Sequence, residues 1–141
     1  MRTLLKRSAV YGLAATAAMT ALAPGAAAAT PSRLYAPSAL VLTVSKGETA
    51  ATATPLRAVT LTCAPAPGGT HPAPQEACDR LRGVDGNFAQ LRDDQQRMCV
   101  KIYDPVVVTA QGVWEGRWVD FQRTYGNSCV MRAEATKVFA F

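Results

Sequence analysis

Arg57-Ala58-Val59-Thr60-Leu61-Thr62-Cys63 sends Val59, Leu61 and Cys63 to one side of an extended chain and Ala58, Thr60 and Thr62 to the other. That period of two is the pattern of a strand with one face against a core and one toward water. A half-buried strand of this kind belongs to an antiparallel sheet covered on one side.

Upstream, Ala39-Leu40-Val41-Leu42-Thr43-Val44 is a second β-prone run, closing at Lys46-Gly47, with an Ala/Thr-rich connection over residues 48–55. Downstream, residues 64–74 carry so many prolines and glycines that they read as loop. A helix is expected from Pro74, a favoured first-turn residue, through Ala77, Cys78 and Leu81 to about Arg82, with Gly83 and Gly86 as punctuation. Phe88 and Leu91 add a further helical turn before the polar Asp93-Asp94-Gln95-Gln96-Arg97. Asp104–Thr109 and Val113–Phe121 read as strands flanking a hairpin turn at Ala110-Gln111-Gly112. Lys137–Phe141 returns as a closing strand. About five strands and one or two short helices make an antiparallel α+β domain.

The first 29 residues stand apart. Arg2, Lys6 and Arg7 precede a run of apolar or small residues from Ala9 to Leu22, and Pro24-Gly25 leads into Ala26–Ala29. A basic start, a short apolar centre and a small-residue cleavage site are the pattern of a secretory signal peptide. The apolar run falls short of the roughly 20 residues that span a bilayer. Residues 30–141 are therefore expected as one exported, extracellular domain, free of the membrane after cleavage. Of 15 basic residues three lie in the signal, leaving 12 against 10 acidic, a balance of +2. So small an excess gives no basic stripe for neutralising phosphates, and nucleic-acid binding is excluded on that ground.

Cys63, Cys78, Cys99 and Cys129 all fall in the exported part. An even count in a small secreted domain reads as a disulfide framework, and four cysteines allow three pairings that spacing cannot separate. The absence of Cys-x-x-Cys argues against redox and zinc chemistry.

An enzyme is disfavoured. His71 is the one histidine, set in the Pro/Gly loop and expected as a solvated turn residue, and no serine sits in a Gly-x-Ser-x-Gly elbow. Asp93-Asp94 and Asp120/Glu134 read as solvated faces and turns rather than a carboxylate pair. No cofactor and no metal are expected.

The stretch Arg97-Met98-Cys99-Val100-Lys101-Ile102-Tyr103-Asp104-Pro105 places a lysine two residues after a cysteine and four before a proline. With it, residues 34–40, Arg57–Pro65, Gly69-Thr70-His71-Pro72, Tyr103–Thr109, Gly112-Val113-Trp114 and Val138–Phe141 resemble, in order, the Streptomyces subtilisin inhibitor family. The resemblance implies a five-stranded antiparallel sheet with two short helices and the pairings Cys63–Cys78 and Cys99–Cys129. It implies a secreted inhibitor of serine endopeptidases whose reactive bond is Lys101–Ile102. Met98, Cys99, Val100 and Tyr103 are then protease-contacting, Asn127 supports the loop, and Val41 lies in a sheet-to-sheet homodimer contact.

Such an inhibitor binds as a substrate does, and its affinity depends on a loop held beforehand in the bound shape. A lysine at the bait position suits the aspartate at the floor of a trypsin-like pocket. Its apolar stem leaves subtilisin-like enzymes as partners too. Where the family usually has proline between cysteine and bait, this chain has Val100, whose β-branching still favours extended geometry. The alternative is a non-inhibitory binding module on the same scaffold, using Trp114, Trp118 and Phe121. The plainer account of those aromatics is core and dimer contact.

Overall fold

The computed structural model describes residues 36–92 and 98–141. The expected signal segment, Leu34-Tyr35 and the run from Asp93 to Arg97 lie outside the described residues.

Strand β1 (Ser38–Lys46) runs at the centre of the sheet, between β2 (Thr54–Ala64) and β4 (Val106–Trp114). A two-residue β3 (Gly68–Gly69) pairs outside β2, and β5 (Arg117–Tyr125) outside β4, giving the order β3-β2-β1-β4-β5, antiparallel throughout. The two-residue period decides the faces. Leu40, Leu42 and Val44 of β1 and Val59, Leu61 and Cys63 of β2 are buried, while Ala39, Val41, Ala58 and Thr60 are exposed.

One face only is covered. Helix α1 (Pro74–Gly83) packs Ala77, Cys78 and Leu81 onto it, and the Cys63–Cys78 disulfide fastens α1 to β2. Glu76 in its first turn and Arg80 and Arg82 in its last oppose the helix dipole with the right signs. A 3₁₀ turn at Phe88–Gln90, helix α2 (Ser128–Glu134) and a 3₁₀ turn at Thr136–Phe139 complete the layer with Phe88, Met131, Val138 and Phe139. Each fully buried side chain of this size contributes about 1.5–3 kcal/mol.

The structure departs from the sequence expectations in three places. Ala110-Gln111-Gly112 is not a turn: β4 continues through it, and Gly112, at φ +141°, lets its bare Cα lie against the Ala39 carbonyl of β1. A Cβ there would sit 2.3 Å from that oxygen, so glycine marks a close approach between strands. The hairpin instead turns at Glu115-Gly116, both at positive φ, as a two-residue primed turn requires. Secondly, residues 137–141 form a 3₁₀ turn and tail, and the fifth strand is Gly68–Gly69, within the segment read as pure loop. Thirdly, His71 is buried, with its ring nitrogens 3.1 Å from the Val138 carbonyl and 3.0 Å from the Ala73 N–H, and its ring edge-on to Phe141. It joins the Pro/Gly loop to the C-terminal layer.

Candidate functional site

Residues 98–105 form a loop without regular structure that enters the sheet at Val106, where β4 begins. Apolar side chains usually withdraw from water, yet Met98, Val100, Ile102 and Tyr103 are all at least 66% exposed, with Lys101 among them. A contiguous apolar display on a domain this small marks a surface made to be covered.

The loop is held from behind at several points. Cys99 is bonded to Cys129 in the first turn of α2, Cα–Cα 5.8 Å. Asn127 is the N-cap of that helix, its Oδ1 accepting from the Val130 N–H at 2.9 Å. The same side chain donates through Nδ2 to the Val100 carbonyl at 3.1 Å and the Ile102 carbonyl at 2.9 Å. Carbonyls two apart on an extended chain point the same way, and the one between them points the opposite way. Asn127 therefore grips the carbonyls of both neighbours of Lys101 with one side-chain amide.

Further along, the Asp104 N–H donates to the Gly126 carbonyl at 2.8 Å, and the Asp104 carboxylate pairs with Lys46. The Gly47 N–H donates to the Pro105 carbonyl at 3.0 Å, and the Tyr103 hydroxyl donates to Glu48 at 2.5 Å. The hydrogen bond to Glu48 raises the Tyr103 phenol above its ordinary pKa, with burial and the like charge of the carboxylate adding to it.

The structure thus brings Met98, Cys99, Val100, Lys101, Ile102, Tyr103 and Asn127 to one place. Val41 stands apart, half exposed on the uncovered sheet face beside Thr60 and Gln111. Trp114 is core, Phe121 half-buried against Phe88, and Trp118 exposed on β5. Lys46, Gly47 and Glu48 were missed as site residues, because their segment reads locally as the end of a strand and a connection. Among the described residues no three His, Cys, Asp or Glu side chains gather as metal ligands, and no helix is long and apolar enough to cross a membrane.

The family profile described as subtilisin inhibitor-like matches residues 36–127, from just before β1 to the loop-gripping asparagine. This chain belongs to the subtilisin inhibitor-like family. The family is one of protease inhibitors, not enzymes. Within it, subtilisin inhibitor-like protein 5 of Streptomyces fradiae is 70% identical over 107 residues, 76% of this chain and all of that protein. A trypsin inhibitor of Streptomyces longisporus is 52% identical across the full length of both. Sermetstatin of Streptomyces caespitosus, solved in complex with a subtilisin from Bacillus licheniformis, superposes with a TM-score of 0.68 at 47% identity, covering 74% of this chain and 99% of that one. The fold expected of a subtilisin inhibitor-like domain, five antiparallel strands, two short helices and two disulfides, is the fold observed.

Proposed function

We propose that this chain is exported, loses Met1–Ala29, and inhibits trypsin-like and subtilisin-like serine endopeptidases by presenting Lys101–Ile102 as a substrate-like reactive bond. The observation that carries the reading is the grip of Asn127 on the carbonyls of Val100 and Ile102, beside the Cys99–Cys129 staple. A loop fixed in this way has little conformational freedom left to lose on docking, which is where most of the affinity of such inhibitors originates. The Lys101 carbonyl carbon is the atom a catalytic serine attacks, and the flanking bonds resist the separation of the cut ends.

Lysine directs the partner. Its ammonium meets a pocket aspartate in a charge-assisted hydrogen bond, while its stem fills an apolar slot. A trypsin inhibitor and a subtilisin-bound inhibitor among the relatives accord with both enzyme classes. The test is stoichiometric titration of active-site-counted trypsin and subtilisin with the oxidised protein. One chain should silence one enzyme molecule, and prolonged incubation with catalytic trypsin should yield a single new cut, between Lys101 and Ile102. Lys101→Glu should lose trypsin inhibition by at least about a hundredfold, the scale of losing a buried charge-assisted pair. Retention of trypsin inhibition at similar strength would show that another residue is the bait.

A further inference from the structure

The turn that follows β1 reaches the loop at Tyr103 and Pro105. Glu48 is fixed in that turn by backbone bonds at both flanks: the Gly47 N–H to Pro105, and the Thr124 hydroxyl, donating to the Glu48 carbonyl at 2.6 Å. The turn itself is closed by the Thr52 and Ala53 N–H groups on the Thr49 carbonyl and by the paired hydroxyls of Thr49 and Thr52. A carboxylate held in this way meets the Tyr103 hydroxyl, 55 residues along the chain.

We propose that Glu48 is a positioning residue, a second brace that fixes Tyr103 and thereby holds the segment after Lys101–Ile102 in place while a protease is bound. This rests on Lys101–Ile102 being the reactive bond. Hydrolysis by the bound enzyme adds water across that peptide, leaving a carboxylate on Lys101 and an amine on Ile102; resynthesis expels the same water. The lysine side of the cut is held by the disulfide and by the bond from Asn127 to Val100. Among the described residues Ile102 takes a bond from Asn127, and the next backbone anchor is Asp104 on Gly126. These two bonds hold the peptide units on either side of the Tyr103 Cα, and the bond from its hydroxyl to Glu48 adds a third anchor through the side chain. Tyrosine loses little rotamer freedom when tied, and a tethered end stays at high effective concentration for rejoining. In the free protein the pair is exposed and weak; beneath a docked enzyme, with water excluded, the same bond strengthens.

The experiment uses the oxidised chain with Glu48→Ala, Glu48→Gln, Tyr103→Phe and the double variant Glu48→Ala/Tyr103→Phe. In the free protein, the Tyr103 ring resonance is followed by NMR against pH. The bond favours the neutral phenol, so its contribution is complete at neutral pH and is lost as pH rises through the raised value. Glu48→Ala should therefore bring the phenol titration down toward the ordinary tyrosine range. With trypsin, Glu48→Ala and Tyr103→Phe should each hasten release of the enzyme and accumulation of cut chain by about twofold to fivefold. The double variant should be no worse than the singles, Glu48→Gln should fall between, and thermal unfolding should be unchanged by Glu48→Ala.

An unchanged phenol titration in Glu48→Ala, or additive effects in the double variant, overturns the brace. Wild-type protein that inhibits neither trypsin nor subtilisin overturns its premise instead, and the phenol titration would still report the contact, so the two failures are distinguishable.

Discussion

At the scale of single residues, Asn127 does two jobs with two atoms, and they can be separated. Oδ1 caps α2, and Nδ2 holds the loop. Asn127→Asp keeps an acceptor for the Val130 N–H, removes both donated bonds and sets a carboxylate oxygen against two carbonyls. At about 1 kcal/mol for each bond, inhibition should weaken by roughly thirtyfold. The unfolding midpoint should barely move, because a helix N-terminus accepts aspartate as readily as asparagine. Tight-binding titration beside calorimetry checks both halves, and an unaltered inhibition constant would remove Asn127 from the mechanism. The residues themselves differed in how legible they were. The spacing of Lys101 from Cys99 and Pro105 was visible locally, but a bait role for it was implied only by the family likeness. Asn127 was available only through the family likeness, since nothing around Gly126-Asn127-Ser128 announces a partner 25 residues upstream. For His71 the flanking prolines correctly indicated a loop, but its burial is decided by Val138 and Phe141, which no local pattern connects to it.

At the scale of elements, alternation located the long strands, and glycine misled where its role was contact rather than turning. Gly112 sits mid-strand because the Ala39 carbonyl needs the space, and the actual turn, Glu115-Gly116, lacks the Asn-Gly or Asp-Gly pair that marks most such hairpins. Ser38 secures it from β1, its hydroxyl accepting from the Glu115 N–H at 2.9 Å. Gly112→Ala should cost about 2–4 kcal/mol, combining a disfavoured backbone with a parted β1–β4 ladder. Urea unfolding reads this as a lower midpoint; an unshifted midpoint would mean the strands separate without cost. The short α2 escaped the residue-level reading because seven residues give barely two turns of periodicity. Its cysteine yields a sharper prediction. Cys99 and Cys129 lie outside the buried cluster that contains Cys63 and Cys78. Replacing both with serine should therefore keep the near-ultraviolet circular dichroism of the core, at a cost of up to about 3.7 kcal/mol in the chain-entropy account of a loop this long. Trypsin should then cut the loop as an ordinary substrate. A double variant that still inhibits with unchanged residence time would show the staple to be dispensable.

For the whole molecule, the decisive fact is that helices cover one face of the sheet and leave the other uncovered. At the end of the strands away from Lys46, Val106 and Tyr125, the register lines up Ala39, Val113 and Trp118 across three strands, with Val41 one step inward beside Gln111 and Thr60. Trp118 is 75% exposed and Val41 48%. An apolar row on a flat antiparallel face suits packing against a second sheet, and a two-fold axis brings the same patch of both copies together. In the homodimer that the family resemblance implies, Val41→Asp would place a carboxylate from each chain in that contact. Burying unpaired like charges costs several kcal/mol, so the dimer dissociation constant should rise by at least about a hundredfold. Sedimentation velocity measures the assembly directly, and Trp118 supplies an optical counterpart, its emission moving to longer wavelength as the face opens to water. Inhibition per chain should survive, because Lys101 and its braces meet the sheet at the opposite end of the same strands, where Lys46 pairs with Val106 and Val106 with Tyr125. Equal sedimentation of the variant and the wild type would mean that the exposed face is not where copies meet. Loss of inhibition together with loss of the dimer would mean that the two ends of the sheet are coupled, contrary to the separate anchoring of the loop on α2 and on the turn after β1.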